Sequence, residues 1–376
     1  MMRSNIHLHW DTPPPSARFR TGVSLHSHTL YSREGLDFVS QAARRAPLLA
    51  GALRRGEREY LKIHGVPLNL ARGWWTPPLG PHDAWELERS QVEKMGMNAL
   101  VSLTDHDNIE APISLQVLEE CRGVPISVEW TVPIEPSFLH IGVHNLPPFQ
   151  AREIFARMEE NRLHPQPDLL RDILADLHAL PGTLIVLNHP LWDETGIGSA
   201  VHEQISRTFL NSYGGFIHAL EINGLRPLGE NRRAVALAKE VKKPVISGGD
   251  RHVIEPNAVL NLTNAGTFSE FAEEIRSGWS DVLVLPHYRE SHCLRIAHNL
   301  IDALRTYERH PMGWRLWSDR AFYTCDDGSV RSLTQWFGSR PPVAVSAFVG
   351  TLRLFSAPGL RKLLKGAWTG GEEVTL

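Results

Sequence analysis

Cysteine is scarce in this sequence, which has Cys121, Cys293 and Cys325 among its 376 residues and no CxxC pair. Thiols so few and so far apart argue against a disulfide framework and against a thiolate zinc site. We therefore expect the chain to work in a reducing, cytoplasmic setting.

Long apolar runs are missing as well. The longest candidate, residues 343–355, is shorter than the roughly 20 residues that cross a bilayer, and it contains Arg353. Residues 1–20 hold charges and a run of prolines where a signal peptide has an apolar segment, so we interpret them as an irregular leader. With a net charge of −3, the chain as a whole gives no reason to expect a membrane or a nucleic acid as its partner.

Three common catalytic motifs are absent too. The sequence contains no P-loop, no GxGxxG after a predicted strand and no GxSxG elbow. Chemistry driven by nucleotide hydrolysis, Rossmann-type dinucleotide binding and serine hydrolysis therefore lacks support.

Apolar segments of strand length alternate with helix-like segments from residue 83 onward. This alternation favours an α/β fold in which helices cover a largely parallel sheet. We expect one unit over residues 21–285, with an insertion at 34–80 that lies over the site. Residues 286–376 break the rhythm and predict a mainly helical C-terminal extension, including an amphipathic helix at 291–307.

Histidine is abundant, with 19 residues, and several histidines follow directly after predicted strands. One residue separates His26 from His28 and Asp250 from His252, and this spacing places both members of a pair on one face of a strand. In a closed barrel the carboxyl ends of the strands form the active site. The candidate metal ligands at strand ends are His26, His28, His106, Glu129, His140, His189, Asp250 and His252.

Two similar patterns carry less weight. His7 and His9 repeat the HxH spacing but lie in the predicted irregular leader. His144 follows His140 at a distance of four residues, and we favour His140 as the ligand.

Imidazoles and carboxylates without thiolates suit zinc, manganese or iron. The candidate ligands outnumber those that one tetrahedral ion needs, so we predict a cluster of two or three divalent ions. Asp105 and Asp107 flank His106 and are interpreted either as carboxylates that support a ligand or as caps of the helix that follows. Glu129 ends an apolar strand, where a charge must be paired or coordinated.

The ordered set HSH (26–28), TDHD (104–107), VEW (128–130), LHIG (139–142), NHP (188–190) and GGDRH (248–252) resembles the polymerase and histidinol phosphatase family, the PHP domain. The resemblance covers roughly residues 21–285. It implies a distorted seven-stranded (β/α) barrel with a trinuclear metal site that hydrolyses phosphate monoesters and diesters.

The resemblance also implies how the ligands divide among the ions. One ion would be surrounded by His26, His28, Glu129 and Asp250. Glu129 would bridge to a second ion that is also held by His140 and His189.

A third ion would be held by His106 and His252. The family often has an Asp or His a few residues after the HxH pair as a further ligand of this ion, and Glu34 is the candidate here. The family's usual small residue after the final Asp is replaced by Arg251, which we interpret as a phosphate contact.

The predicted reaction is the hydrolysis of a small phosphorylated substrate or a nucleotide by hydroxide formed at the metal cluster. Arg251 would neutralise the phosphate, and His252 or Asp105 would assist the leaving group. Two alternatives stay open. One is an amidohydrolase-type enzyme that cleaves C–N or C–O bonds, and the other is a non-catalytic metal-binding module in which residues 286–376 dock a partner.

Trp74 and Trp75 lie in the predicted insertion, next to a proline-rich turn. They could stack on a substrate as part of a lid, or they could pack the insertion against the main unit. We weigh the two interpretations equally.

Overall fold

The computed structural model describes residues 3–36 and 47–337, together with the single positions 350, 374 and 376. The strands among these residues are β1 (Arg3–Leu8), β2 (Thr21–Ser24), β3 (Glu34–Gly35), β4 (Gly73–Trp75), β5 (Asn98–Val101), β6 (Ile126–Ile134), β7 (Ser137–Leu146), β8 (Leu184–Leu187), β9 (Ala219–Asn223), β10 (Val245–Gly248), β11 (Val259–Thr263), β12 (Trp279–Val284), β13 (Ala321–Thr324) and β14 (Val330–Ser332).

Helices separate most of these strands. The α-helices among the described residues are Pro47–His64, Pro81–Glu93, Glu110–Leu115, Ala151–Leu163, Pro167–Ala179, Ser199–Tyr213, Leu228–Glu240, Phe268–Arg276, His292–Ala303 and Leu333–Phe337. The predicted α/β class is therefore right. None of the helices in the described part of the chain is both long and apolar enough to cross a membrane.

The strands form two five-stranded sheets, in the orders β1-β12-β11-β2-β5 and β10-β9-β8-β7-β6. The prediction of a seven-stranded barrel is wrong in its sheet layout, since the ladders of the described residues do not join into one closed sheet. The physical reason is that β6 and β7 form an antiparallel hairpin and β11 runs antiparallel to both of its neighbours. These antiparallel pairs interrupt the parallel strand–helix repeat that a barrel of this kind requires.

The interpretation of residues 1–20 as an irregular leader is also wrong, because β1 pairs in parallel with β12. Its side chains alternate as a half-buried strand requires. On one face Asn5 Nδ2 donates to Asp281 Oδ1 at 2.9 Å, and His7 Nε2 lies 2.7 Å from the same oxygen. On the other face Ile6 and Leu8 pack against the apolar core.

A third sheet, in the order β14-β13-β4-β3, is shared by the predicted insertion and the predicted C-terminal extension. The extension is therefore not mainly helical within the described residues: a helix at His292–Ala303 is followed by β13 and β14. A cross-strand aromatic pair supports this pairing, since Trp74 of β4 lies opposite Phe322 of β13. Residues 37–46 of the predicted insertion lie outside the described residues. So do residues 338–349 and 351–373 of the predicted extension, which include most of the apolar stretch at 343–355.

One apolar cluster packs the second sheet against its helices, and another contains residues of both five-stranded sheets. All four residues of β8, Leu184–Leu187, are 0% exposed, as expected for a central strand covered on both faces. Burying one such aliphatic side chain stabilises the fold by about 1.5–3 kcal/mol. This rigid support carries the strand ends from which the candidate ligands project.

Candidate metal centre

The ends of four segments meet where the two five-stranded sheets approach each other. Ser27 and Arg251 form an isolated parallel bridge, as do His106 and Glu129. The backbone N–H of His28 donates to the carbonyl of Arg251 at 2.7 Å. The bridge between Ser27 and Arg251 brings together ligand candidates from segments that are more than 200 residues apart in the sequence.

Glu129, which is 0% exposed, lies at the centre of the cluster. Its Oε2 is 3.0 Å from His26 Nε2, 3.4 Å from His28 Nε2 and 3.3 Å from His106 Nδ1. Its Oε1 is 3.1 Å from His189 Nε2 and 3.5 Å from His140 Nδ1. One carboxylate thus faces two sets of imidazoles, one at each of its oxygens.

Glu34 is the second carboxylate that faces several imidazoles. Its Oε2 is 3.1 Å from His252 Nε2 and 3.3 Å from His106 Nε2, and its Oε1 is 3.6 Å from His28 Nδ1. Ser32 Oγ donates to Oε1 at 2.6 Å and fixes the carboxylate. The structure therefore places Glu34 with the predicted third-ion residues, and it adds His28 to that group.

Asp250 completes the cluster on its far side. Its Oδ1 lies 3.6 Å from His26 Nε2, 3.5 Å from His28 Nε2 and 3.5 Å from His252 Nδ1. The structure thus brings all of the predicted ligands together in one cluster of buried or half-buried side chains. Four overlapping groups have one donor atom per residue within 4.8 Å of the others: His28, Glu34, His106 and His252; His26, His189 and Asp250; His26, His28 and Glu129; and His106, Glu129 and His140.

Divalent metal ions fit these groups. His28 Nε2 is buried and has no hydrogen-bond partner among the described residues, although an unpaired buried nitrogen is costly. Burial, followed by the charge of His252, lowers the pKa of His28 to about 4, which keeps its imidazole neutral, as metal ligation requires. Burial alone would raise the pKa of Glu129, but the charges of His26 and His106 hold it well below its usual value.

Residues behind the candidate ligands orient them. Glu221 Oε2 is 2.7 Å from His26 Nδ1, which directs His26 Nε2 towards the cluster. Asn188 Nδ2 donates to Glu129 Oε1 at 3.0 Å. Gly248 leaves room for Glu221, since a Cβ atom there would lie 2.0 Å from Glu221 Oε2.

Three of the candidate ligands have an unusual backbone. His26, His189 and Asp250 adopt positive φ angles of 66°, 25° and 53°. Non-glycine residues rarely adopt this region, and such conformations concentrate at functional sites, where the surrounding structure enforces them. The backbone turns sharply at each strand end and so directs the side chain into the cluster.

Asp105 has a different position from the one its predicted catalytic role requires. Thr29 donates to it twice, from its backbone N–H at 2.5 Å and from its Oγ1 at 2.7 Å. Burial raises the pKa of Asp105 to about 7. Both oxygens are thus used to hold the turn after His28, so Asp105 supports the site from outside the ligand groups. Asp107 likewise accepts the backbone N–H of Thr131 at 2.8 Å.

Arg251 is not the phosphate contact that the sequence suggested. Its guanidinium is buried away from the cluster, with Nη1 3.2 Å from Glu88 Oε1 and Nε donating to the Glu255 carbonyl at 2.7 Å. The physical reason is the strand alternation that directs Asp250 and His252 to one face, because it directs the residue between them to the other. His252 itself lies in the cluster beside Glu34.

Sequence reasoning missed Arg226, the arginine that does approach the cluster. Its Nη2 is 2.9 Å from Asp250 Oδ2, and its guanidinium lies 3.9 Å from the ring centroid of Trp192. Arg226 lies three residues beyond the end of β9, and Trp192 lies five residues beyond the end of β8, so the rule that located ligands directly at strand ends did not reach either residue. Glu194 lies on the same loop as Trp192, and burial raises the pKa of its carboxyl.

The other histidines that the sequence considered lie outside the ligand groups. His144 Nδ1 is 2.8 Å from Ser102 Oγ, and the His144 ring stacks on Phe268. His7 pairs with Asp281, as described above. The preference for His140 over His144 as a cluster residue therefore agrees with the geometry.

The two tryptophans have different surroundings. Trp74 stacks on Phe322 with ring centroids 4.4 Å apart, and Arg33 lies 4.9 Å from the Trp74 ring centroid. Trp75 faces the cluster, with its ring centroid 6.0 Å from that of His252. Trp74 thus packs the third sheet, whereas Trp75 borders the candidate site.

No protein-family model and no curated protein matches the sequence. Among solved structures, the chain is similar to an amidohydrolase from Chromobacterium violaceum with bound sulfate and no metal, with 17% identity and a TM-score of 0.32 over 47% of this chain and 84% of that one. It is also similar to a proposed metal-dependent phosphoesterase from Bifidobacterium adolescentis, with 16% identity and a TM-score of 0.34 over 54% and 92% of the two chains. A third similar structure is PsfC from Pseudomonas syringae, with 14% identity and a TM-score of 0.40 over 74% and 96%. Similarities this distant leave the function to be argued from the geometry of the site.

Proposed function

We propose that this protein is a metal-dependent hydrolase of phosphate esters. The observation that carries the proposal is the convergence of nine buried or half-buried histidines and carboxylates on four overlapping ligand groups. The family resemblance suggested by the sequence motifs supports the same assignment. Manganese, iron or zinc is the expected metal, because the groups offer nitrogen and oxygen donors and no thiolate.

The ligand groups suggest a division among ions. His26, His28, His189 and Asp250 would share one region with Glu129, and Glu129 would extend to His106 and His140. Glu34, His252, His28 and His106 would hold a further ion. Divalent ions bound there would lower the pKa of water to about 7 and polarise a phosphoryl oxygen.

The chain's own residues supply the rest of the chemistry. Glu221 holds His26 in one tautomer, and the neutral imidazole of His28 presents a free nitrogen to the cluster. Arg226 projects beside Asp250, where a planar guanidinium can contact two oxygens of a phosphate through two parallel hydrogen bonds. Its position on the Trp192 ring restricts the guanidinium to one plane.

Arg226 is also the observation that favours a phosphate ester over a neutral amide. A fixed cation next to the ligands lowers the cost of binding an anionic substrate and stabilises negative charge that develops during the reaction. The expected substrate is a small phosphorylated compound or a nucleotide. The cytoplasmic setting stays a prediction that rests on the sparse cysteines.

The experiment that tests the proposal combines metal analysis of the purified protein with a substrate screen. We expect more than one equivalent of metal per chain, and turnover of an aryl phosphate or a bis-aryl phosphate. His189→Ala and Asp250→Ala should abolish turnover while the protein still folds, whereas His7→Ala and His9→Ala should be silent.

Each arm of the screen has a defined consequence. Failure to bind metal under several loading conditions would refute the metal centre. Metal binding with cleavage of an aryl anilide or a lactone, and not of phosphates, would identify the amidohydrolase-type alternative. Metal binding without any turnover would favour the non-catalytic module.

A further inference from the structure

Two tripeptides each carry a pair of candidate ligands: His26-Ser27-His28 and Asp250-Arg251-His252. They run side by side, and the bridge between Ser27 and Arg251 joins their middle residues. His28 N donates to the Arg251 carbonyl at 2.7 Å, and Arg251 N donates to the His26 carbonyl at 3.2 Å. The middle side chains therefore leave the tripeptides on the face opposite the candidate ligands.

Both middle side chains end on one carboxylate, that of Glu88 in the helix Pro81–Glu93. Ser27 Oγ donates to Glu88 Oε1 at 2.6 Å, and Arg251 Nη1 lies 3.2 Å from the same oxygen. Glu88 Oε2 accepts hydrogen bonds from Ser24 Oγ at 2.7 Å and from Asn257 Nδ2 at 2.5 Å. Glu88 is 0% exposed and Arg251 is 4% exposed, so the ion pair lies in the protein interior.

A buried ion pair contributes little to the stability of a protein interior. The cost of removing both charges from water often exceeds their mutual attraction, and apolar side chains of similar volume are frequently as stable or more stable. The pair between Glu88 and Arg251 is therefore poorly explained by stability alone. Its contacts with the middle residues of both tripeptides supply a different explanation.

We propose that Glu88 and Arg251 are positioning residues that set the spacing between the two ligand tripeptides. This inference rests on the metal centre proposed above. Asp250 Oδ1 lies 3.6 Å from His26 Nε2 and 3.5 Å from His28 Nε2, and these separations cross from one tripeptide to the other. Metal sites tolerate displacements of only about 0.5 Å in their ligands, so a clamp on the opposite face affects affinity directly.

The test uses three variants of the full chain that weaken the clamp without changing a candidate ligand. Glu88→Gln removes the charge and keeps the shape, Arg251→Met removes the guanidinium, and Ser27→Ala removes one hydroxyl without leaving a charge unpaired. The matched control is Arg276→Met, because Arg276 also donates to backbone carbonyls, those of His178 and Thr183, but at the amino-terminal end of β8.

Three measurements are made on each variant: the dissociation constant of zinc by chelator competition, the visible spectrum of the cobalt-loaded protein, and the melting temperature without metal. We expect the zinc affinity of the clamp variants to fall by roughly 10–100-fold, the usual effect of losing a residue that orients a ligand. Their cobalt spectra should shift, since the spectrum reports ligand geometry. Arg276→Met should lower the melting temperature and leave both metal readouts unchanged.

A double variant keeps the test decisive if a single variant unfolds. Glu88→Gln combined with Arg251→Met leaves no unpaired charge, so it should recover melting temperature relative to the single variants and still bind zinc weakly. If the double variant and Ser27→Ala both keep the zinc affinity and the cobalt spectrum of the unsubstituted protein, this inference is overturned and the proposed function still stands. Absence of metal from the unsubstituted protein would overturn the proposed function, and this inference with it.

Discussion

Replacing Glu129 with glutamine removes the charge on which five imidazoles converge. His26, His28 and His106 face one oxygen at 3.0–3.4 Å, and His140 and His189 face the other at 3.1–3.5 Å. Glutamine preserves the volume of the side chain but offers a weak amide oxygen and an N–H₂ group that cannot ligate. We therefore expect Glu129→Gln to lose metal affinity more severely than a variant outside the ligand groups.

The magnitude follows from linkage between binding and folding. Loss of an outer residue that supports a ligand typically costs about 10–100-fold in metal affinity, and a residue shared by two ligand groups should cost at least the upper figure. At a metal concentration 100 times the dissociation constant, binding stabilises the native state by about 2.7 kcal/mol. A 100-fold weaker variant at the same concentration retains only about 0.4 kcal/mol.

The assay is urea unfolding with and without added zinc or manganese. The unsubstituted protein should show a metal-dependent increase in unfolding free energy that is nearly lost in Glu129→Gln. The control is Glu274→Gln, which changes a half-buried carboxylate that contacts Thr263, the last residue of β11. Thr263 pairs with Thr21, at the end of β2 that is far from the cluster. A metal-dependent increase that is equal in Glu129→Gln and in the unsubstituted protein would refute the placement of Glu129 between the ligand groups.

Burial lowers the pKa of His144 from 6.5 to about 3, so the unfolded state binds an additional proton between these values and stability falls as the pH drops below about 6.5. His144→Gln should reduce this loss of unfolding free energy by up to about 1.4 kcal/mol per pH unit, as measured by urea unfolding at several pH values. If the slope of unfolding free energy against pH is unchanged in the variant, His144 is not the source of the pH dependence. Trp74→Ala should lower the melting temperature by several degrees, whereas Trp75→Ala should change relative rates across substrates. If Trp75→Ala lowers the melting temperature and Trp74→Ala changes the relative rates, the assignment of Trp74 to packing and of Trp75 to the site is wrong. Arg295→Met removes the donors to the carbonyls of Gly224 and Arg226, so it should raise the KM of an anionic ester more than it lowers kcat, and Arg295→Lys should recover part of the effect. Steady-state kinetics in which only kcat falls would argue against a role of Arg295 in holding the Arg226 loop.

The candidate ligands could be found from sequence because one physical rule governs them. A polar residue directly after an apolar strand lies at the edge of a sheet, and one-residue spacing places two side chains on one face. His26, His28, Asp250 and His252 follow both parts of this rule. Their pairing with Glu129 could be anticipated only through the family resemblance, since segments so distant in sequence meet through tertiary structure.

The errors have equally specific causes. Arg251 was assigned to the phosphate although its position between Asp250 and His252 directs it to the opposite face. Arg226 was missed because it lies on a loop, three residues beyond Asn223, where periodicity gives no information. The sheet layout was wrong because an apolar run of strand length does not show in which direction the strand pairs, either in the β6–β7 hairpin or in β11. β1 was missed because its alternation covers only six residues near a proline run.

The third sheet links the metal centre to parts of the chain that the sequence had set apart. Glu34 lies on β3, which pairs with β4 so that Glu34 is opposite Trp75, and β4 in turn pairs with β13. A strand of two residues has little stability by itself, so the position of Glu34 depends on the strands next to it.

The helix His292–Ala303 supports the site from another side. His292 Nε2 is 2.9 Å from the Leu225 carbonyl, and Arg295 Nη2 donates to the Arg226 carbonyl at 3.1 Å. Backbone carbonyls on a loop are normally satisfied by water. Here side chains of the helix contact the carbonyls of two consecutive loop residues, Leu225 and Arg226, and so fix the loop that presents Arg226. Residues 286–337 therefore contact both the Glu34 sheet and the Arg226 loop. A segment that supports two sides of the candidate site is better explained as part of the framework of that site than as a separate appendage.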